Sequence, residues 1–228
     1  MITAIDNPEN PLLRKYNMAD RNRNSLATRM DITMTNRSSA GISLDWAQDH
    51  YPDSVIGLNT SQVTNAGLDF STQPSTNTTV SFFLSYEDIT SHMANSQLYS
   101  IPDWSGRMKD NFTTGGLGFK HIVSENKLDI GADYVHTYSR GKITLNQGGL
   151  DSSLPDLVTR LNSIKIYANY HYSDSLLFNG KYWYEHYSSR NWAFDDVYTD
   201  TISNNISLGQ EAPSYNVNVF MASIRYQF

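Results

Sequence analysis

Within the last fourteen residues, Tyr215 to Phe228, alternate positions counted back from the end fall into two kinds of side chain. One face holds Phe220, Ala222, Ile224, Tyr226 and Phe228, and the other holds Val219, Met221, Ser223, Arg225 and Gln227. A period of two residues indicates a β-strand, because successive side chains of a strand point to opposite sides. The apolar face must be covered, either by a second layer in a soluble protein or by lipid around a transmembrane barrel.

The composition is compatible with both kinds of cover but excludes several functions. The 228 residues carry 17 Lys and Arg against 23 Asp and Glu, and a net charge of -6 argues against nucleic-acid binding, which usually needs a basic face. The mean hydropathy of -0.48 is typical of a soluble chain, yet barrel strands dilute their apolar residues with polar ones. With no cysteine, the chain forms no disulfide and attaches no c-type haem of its own.

Eight further segments show the same alternation, and the connections between them alternate in length. Short turns are predicted at 37–39, 74–77, 124–126 and 173–174, and long connections at 49–61, 90–110, 141–158 and 188–214. Outer-membrane barrels have short periplasmic turns and longer external loops, whereas a soluble sandwich has no reason to sort its loops in this way. The fold class predicted is therefore all-β, an antiparallel up-and-down transmembrane β-barrel.

About nine strands are expected, and bacterial single-chain barrels usually have an even number. The start, Met1 onwards, shows neither a basic nor an apolar region of a secretory signal. We therefore expect 25–228 to be the C-terminal part of a larger outer-membrane barrel and 1–24 to be a polar loop entering it. The signal peptide would lie in a preceding part, and the isolated fragment would not form a functional pore.

The alternation assigns side chains to two environments. Apolar positions are predicted to face lipid: Leu44, Trp46, Leu68, Phe70, Phe82, Leu84, Ile164, Ile166, Phe178, Ile224, Tyr226 and Phe228. Charged positions on the opposite face are predicted to face the lumen: Arg29, Asp31, Asp45, Asp69, Lys120, Asp129, Asp133, Lys165, Lys181, Glu185 and Arg225. Both signs occur in the second set. This mixture suits a water-filled lumen or a polar wall packed against an inserted protein.

A catalytic or metal site is not predicted. The pairs Asp133 with His136 and Glu185 with His186 fall on opposite faces of their strands, so neither forms the start of a hydrolase triad. The six histidines show no metal-binding helical spacing, and the acidic segments Phe194–Asp196 and Leu150–Asp151 lack the ligand spacing of a calcium loop. Five glycines, at 115, 116, 118, 131 and 180, are expected to permit sheet curvature or the close approach of another backbone.

Three stretches resemble the MtrB/PioB family of decahaem-associated outer-membrane β-barrel proteins. They are NPLLRKYNMADRNRN at Asn10–Asn24, LPDLVTRLNSIKIYANY at Leu154–Tyr170, and the terminal segment Lys181–Phe228. The last is the most specific, since a tyrosine-rich strand, a Trp-Ala-Phe-Asp loop, SLGQEAPSYNV and a terminal aromatic follow one another in family order. The three stretches cover about a third of the chain and lack the family's N-terminal part, which carries a signal and in many members a Cys-x-x-Cys.

The resemblance implies a non-enzymatic barrel that sheathes multihaem cytochromes for electron transfer across the bacterial outer membrane. A periplasmic decahaem c-type cytochrome would thread the lumen and meet an extracellular multihaem cytochrome at the outer mouth. This chain would bind no cofactor, since haem c would belong to the partners, and its remaining contacts would be with outer-membrane lipid. The residues alone leave a general or substrate-specific porin open as the alternative.

Overall fold

The computed structural model describes residues 10–97, 100–194 and 214–227. Eleven strands form one sheet: β1 Leu13–Arg14, β2 Asn22–Thr35, β3 Ser38–His50, β4 Ile56–Ser75, β5 Thr78–Asn95, β6 Trp104–Ser124, β7 Leu128–Gln147, β8 Leu150–Ser153, β9 Leu157–Ser173, β10 Leu176–Arg190 and β11 Tyr215–Tyr226. A short 3-10 turn, Trp192–Phe194, follows β10. No helix in the described ranges is long and apolar enough to cross a membrane.

Nine long strands form an antiparallel meander in the order β11-β10-β9-β7-β6-β5-β4-β3-β2. The two short strands lie off this path, with β1 parallel to the start of β4 and β8 antiparallel to the end of β7. Within the described residues, β2 and β11 pair with one neighbour each, so the sheet has two free edges. In the described residues the nine long strands match the prediction of about nine, the two short strands were not predicted, and the unclosed sheet agrees with a partial barrel.

The predicted sorting of connections is also present, but the long connections are shorter than expected. Two-residue or three-residue turns follow β2, β4, β6 and β9, whereas β5 continues to Asn95 and β6 begins at Trp104 within the predicted 90–110 loop. Beyond a bilayer the outer side chains need not be apolar, so the period-two signal fades while the backbone ladder continues. The 21 residues of β6 exceed the roughly 9–11 that cross a bilayer, so this strand projects beyond it.

The sheet has almost no core among the described residues. The buried hydrophobic residues there are Tyr51 and Ile56, both at the connection between β3 and β4. At that end of the sheet Leu13 and Arg14 pair with Ile56 and Gly57, so part of the predicted polar loop is a mouth segment held against the sheet. Gly57 has φ of 117°, and a Cβ there would lie 2.5 Å from the carbonyl oxygen of Arg14. The segment therefore needs glycine at this contact.

Candidate functional site: the two faces of the sheet

Cross-strand register determines which side chains share a face, because directly paired residues point to the same side. Phe70 pairs with Phe82, Phe82 with Leu117, Leu117 with Tyr134 and Tyr134 with Ile164. We call this side the outer face, and it carries every described member of the predicted lipid-facing set. Phe228 lies outside the described residues. Contact of this face with lipid stays a prediction.

The outer face has an apolar band toward the short turns. Its large side chains are uncovered within the chain, for example Leu44 at 53%, Ile166 at 51% and Ile224 at 68% exposure. Burying such a side chain contributes about 1.5–3 kcal/mol relative to water, so a band of this extent requires an apolar environment. The band is about the height of the 9–11 residues with which a strand crosses a bilayer.

Tyrosine and asparagine side chains mark the upper limit of this band, toward the long connections. Four Tyr–Asn pairs form between adjacent strands: Tyr86 with Asn111 at 2.9 Å, Tyr134 with Asn162 at 3.1 Å, Tyr182 with Asn218 at 2.7 Å and Tyr184 with Asn216 at 3.3 Å. We call these eight residues the Tyr–Asn belt. Aromatic rings with a polar tip are favoured where hydrocarbon meets headgroups, and barrels carry aromatic girdles at that level.

The opposite side, here called the inner face, carries every member of the predicted lumen-facing set. Asp31 pairs with Gly41, Gly41 pairs with Asp69, and Asp69 pairs with Phe83, so these residues share a face. Further along the sheet, Asp133 pairs with Lys165 and Lys165 with Trp183. The two predicted sets therefore lie on opposite faces, and the lumen assignment of the second set stays a prediction.

Charges on the inner face contact one another within the wall. Arg29 Nη2 lies 2.7 Å from Asp31 and 2.8 Å from Asp69, and Lys120 lies 3.9 Å from Asp129. Lys165 is placed over the ring of Trp183, with 5.1 Å between Nζ and the ring centroid. Glu185 accepts a hydrogen bond of 2.7 Å from Tyr215. For Asp45, Lys181 and Arg225 no ion pair is present in the described part of the chain.

Glycines on the inner face provide room for side chains rather than for another backbone. A Cβ at Gly116 would lie 2.3 Å from Phe83, and one at Gly131 would lie 2.2 Å from Tyr167. Gly118 faces Ser81 in the same way. Aromatic rings therefore lie along the wall instead of projecting from it. The outer-face Gly180 has no atom within 4 Å of a Cβ position, so the two faces use glycine differently.

A partly buried ion pair holds β2 to β3 near the long connections, beyond the apolar band. Arg23 donates two hydrogen bonds of 2.6 Å to Asp49, and Arg21 lies 3.8 Å from the same carboxylate. The Asp49 side chain is only 8% exposed. The hydrogen bonds from Arg23 lower the pKa of the Asp49 carboxyl below its usual value, despite the opposing effect of burial. Alternation alone did not indicate this pair, because it joins residues of two strands that are 26 positions apart.

The geometry separates the candidate hydrolase pairs. His136 and His186 lie on the outer face, where they contact Asn162 at 2.8 Å and Asn216 at 2.6 Å. Asp133 and Glu185 lie on the inner face, as their register with Lys165 and Ser163 shows. Within the described residues no group of three His, Cys, Asp or Glu side chains could hold a metal ion. The acidic segment at Asp195 and Asp196 falls outside the described residues.

Comparisons with known proteins agree with this architecture. The family described as "Putative outer membrane beta-barrel porin, MtrB/PioB" matches residues 3–228. The chain belongs to the MtrB/PioB family. It is also similar to "Outer membrane protein MtrB" of Shewanella baltica (strain OS185), at 29% identity over 219 residues. That match covers 96% of this chain and 31% of the relative, so the chain spans less than a third of the MtrB protein it resembles.

Two solved outer-membrane proteins share the fold. The copper transporter OprC superposes with a TM-score of 0.64 at 9% identity, covering 91% of this chain and 34% of that one. The ferric citrate transporter FecA gives a TM-score of 0.62 at 11% identity, covering 92% and 34%. At such identities the likeness concerns the fold alone. Together with the family, it confirms an outer-membrane β-barrel and an outer-membrane location.

Proposed function

We propose that this chain forms part of a non-catalytic barrel that houses and positions multihaem c-type cytochromes for electron transfer across the outer membrane. Haem c would be carried by a decahaem protein in the lumen and by an extracellular multihaem protein at the mouth. Membership of the MtrB/PioB family, together with the resemblance of the terminal segment, supports this role.

The lateral pairing of several inner-face charges is the observation that carries the proposal. Arg29 contacts two carboxylates, Lys120 contacts one and Lys165 lies against an aromatic ring. A selective pore is typically lined by charges of one sign, which act on ions in the water of the channel. A wall whose charges are paired laterally presents a weak field, and it suits a bulky partner that must be insulated rather than attracted.

Inner-face aromatic rings support the same interpretation. Phe83 is 40% exposed and lies against Gly116, so its ring presents a broad apolar surface without narrowing the bore. Protein–protein contacts use such aromatic surfaces, with polar groups around them. A non-catalytic role is further supported by the separation of His136 and His186 from the inner-face carboxylates.

Photo-crosslinking in the full-length protein tests the proposal with two matched positions. Phe82 and Phe83 are adjacent phenylalanines on opposite faces, so a photoreactive phenylalanine analogue can replace either one. An affinity tag fits between Gly148 and Gly149, whose Cβ positions have no atom within 4 Å. After irradiation of whole cells, we expect the tagged barrel to give a haem-staining adduct from position 83 and none from position 82.

The visible absorption of the captured complex also distinguishes the cytochrome sheath from the porin alternative. Visible absorption of c-type haem that reduces with dithionite supports the cytochrome sheath. A colourless full-length barrel in good yield, with no adduct from position 83 and with solute flux in liposomes, would establish an empty pore instead. The porin is the second candidate because the family description itself names a porin.

A further inference from the structure

A basic patch lies on the outer face above the Tyr–Asn belt, toward the long connections. Six cations from β6, β7, β9 and β10 form it, and we call them the outer basic patch: Arg107, Lys109, Arg140, Lys142, Arg160 and Arg190. Their positions on the outer face follow from the register, since Lys109 pairs with Lys142 and Tyr138 pairs with Arg160. At the same height on β2 to β5, the described outer-face residues include no Lys or Arg.

Like charges face each other in this patch. Lys109 and Lys142 are direct cross-strand partners, an arrangement that is destabilising when no anion lies between them. Among the described residues, two carboxylates form ion pairs with the patch: Asp88 lies 3.1 Å from Lys109, and Asp156 lies 2.5 Å from Arg140. For Lys142, Arg107 and Arg160 the described residues provide no carboxylate. Within the described part of the chain, the patch therefore has an excess of positive charge.

The distance of the patch from the Tyr–Asn belt indicates which class of anion it can bind. Arg160 is the next outer-face residue above Asn162 of the belt, a separation of about 7 Å along a strand. Its guanidinium lies 5.6 Å from the centroid of Tyr138, which holds the charge against the wall. Arg140 and Lys142 follow on the neighbouring strand at successive levels. If the belt marks the limit of the hydrocarbon, Lys109 and Arg160, each the first outer-face residue above a belt asparagine, lie at the depth of the headgroups, and the other patch cations lie farther out along their strands.

We propose that the outer basic patch binds the phosphate groups of a phosphorylated lipid in the outer leaflet. Basic clusters beside a membrane bind anionic headgroups, each Lys or Arg contributing on the order of 1 kcal/mol of attraction. Guanidinium groups form paired hydrogen bonds to phosphate oxygens, while the two lysines act as point charges. Such a lipid anchors one side of the barrel, at β6 to β10, and leaves the β2 to β5 side free of this contact.

A lipid titration tests this proposal in the full-length protein. The variant Arg107→Gln, Lys142→Gln, Arg160→Gln removes three patch cations that lack a carboxylate partner in the described residues. The matched control, Lys120→Gln, Lys165→Gln, Lys181→Gln, removes the same charge from the inner face. Binding of a diphosphorylated lipid A to the detergent-solubilised proteins is measured by native mass spectrometry, with dephosphorylated lipid A as the second probe. Heat-modifiable migration on gels verifies that each variant is folded.

The wild type and the inner-face control should bind the phosphorylated lipid equally well. The patch variant should bind it about 100-fold more weakly, because three contributions of about 1 kcal/mol are removed. Equal binding by the patch variant would overturn the proposal, as would equal binding of the dephosphorylated lipid. Displacement of the lipid by millimolar inorganic phosphate would indicate a free-anion site, and loss of a copurifying protein with unchanged lipid binding would indicate a protein-docking surface. Either result would also overturn it.

Discussion

The two faces of this sheet share one backbone but differ in how their side chains are satisfied. The outer face places its apolar side chains outward and unpaired, limits them with the Tyr–Asn belt, and collects cations above it. The inner face pairs its charges laterally and lays rings against glycines. The side chains of the outer face thus depend on contacts outside the chain, whereas those of the inner face largely contact one another. Neighbouring residues of one strand can therefore respond very differently to the same substitution.

Arginine at Phe82 or at Phe83 gives the largest contrast. In a bilayer, Phe82→Arg should lower the free energy of unfolding by about 2–4 kcal/mol, because it places a charge in the hydrocarbon. Phe83→Arg should cost less, since that position faces the polar side. Urea titration of the full-length protein in liposomes, followed by gel migration, measures both. Equal losses from the two variants would contradict the facing assignment.

Alanine at one glycine of each face gives the next contrast. Gly116→Ala should destabilise the barrel by about 1–3 kcal/mol, since the new methyl group overlaps Phe83 and approaches the carbonyl oxygen of Tyr134 at 3.0 Å. Gly180→Ala should be neutral or stabilising by about 0.4–1 kcal/mol, because its Cβ meets open space and alanine restricts the unfolded chain. The same urea titration gives both values. If Gly116→Ala were as stable as the wild type, the ring would have another place to lie.

The smallest expected effect on stability concerns the ion pair of Arg23 with Asp49 and depends on pH. Arg23→Gln should destabilise the contact between β2 and β3 at pH 7. A depressed carboxyl pKa stabilises the folded state above the unfolded value of about 3.9, and this contribution is lost as the pH falls through the folded-state pKa. The difference from the wild type should therefore shrink below about pH 4.

Hydrogen exchange of the β2 and β3 amides at several pH values measures this effect. Arg37→Gln removes the same charge at a short turn, where the side chain makes no ion pair within the described residues, and serves as the control. A difference between Arg23→Gln and the wild type that stays constant from pH 7 to pH 3 would show that Asp49 contributes through packing alone.

The period-two alternation by itself determined much of the fold. It predicted nine strands, the sorting of short and long connections, and the division of residues such as Ile164 and Lys165 between faces. This succeeds because strand geometry is local: adjacent side chains point oppositely, and a face that meets lipid must be apolar along the bilayer height. Strand length was underestimated because, above that height, water no longer demands apolar side chains and the pattern disappears.

Only the tertiary structure decided which residues from different strands meet. The contacts of Arg29 with Asp69, of Phe83 with Gly116 and of Lys109 with Lys142 join residues separated by 25 or more positions. Cross-strand register sets these contacts, and it depends on turn lengths and on bulges such as that between Ile122 and Ser124. The sequence thus determined the chemistry of each face, and the register determined that several charges of the inner face pair with one another while cations collect on the outer face.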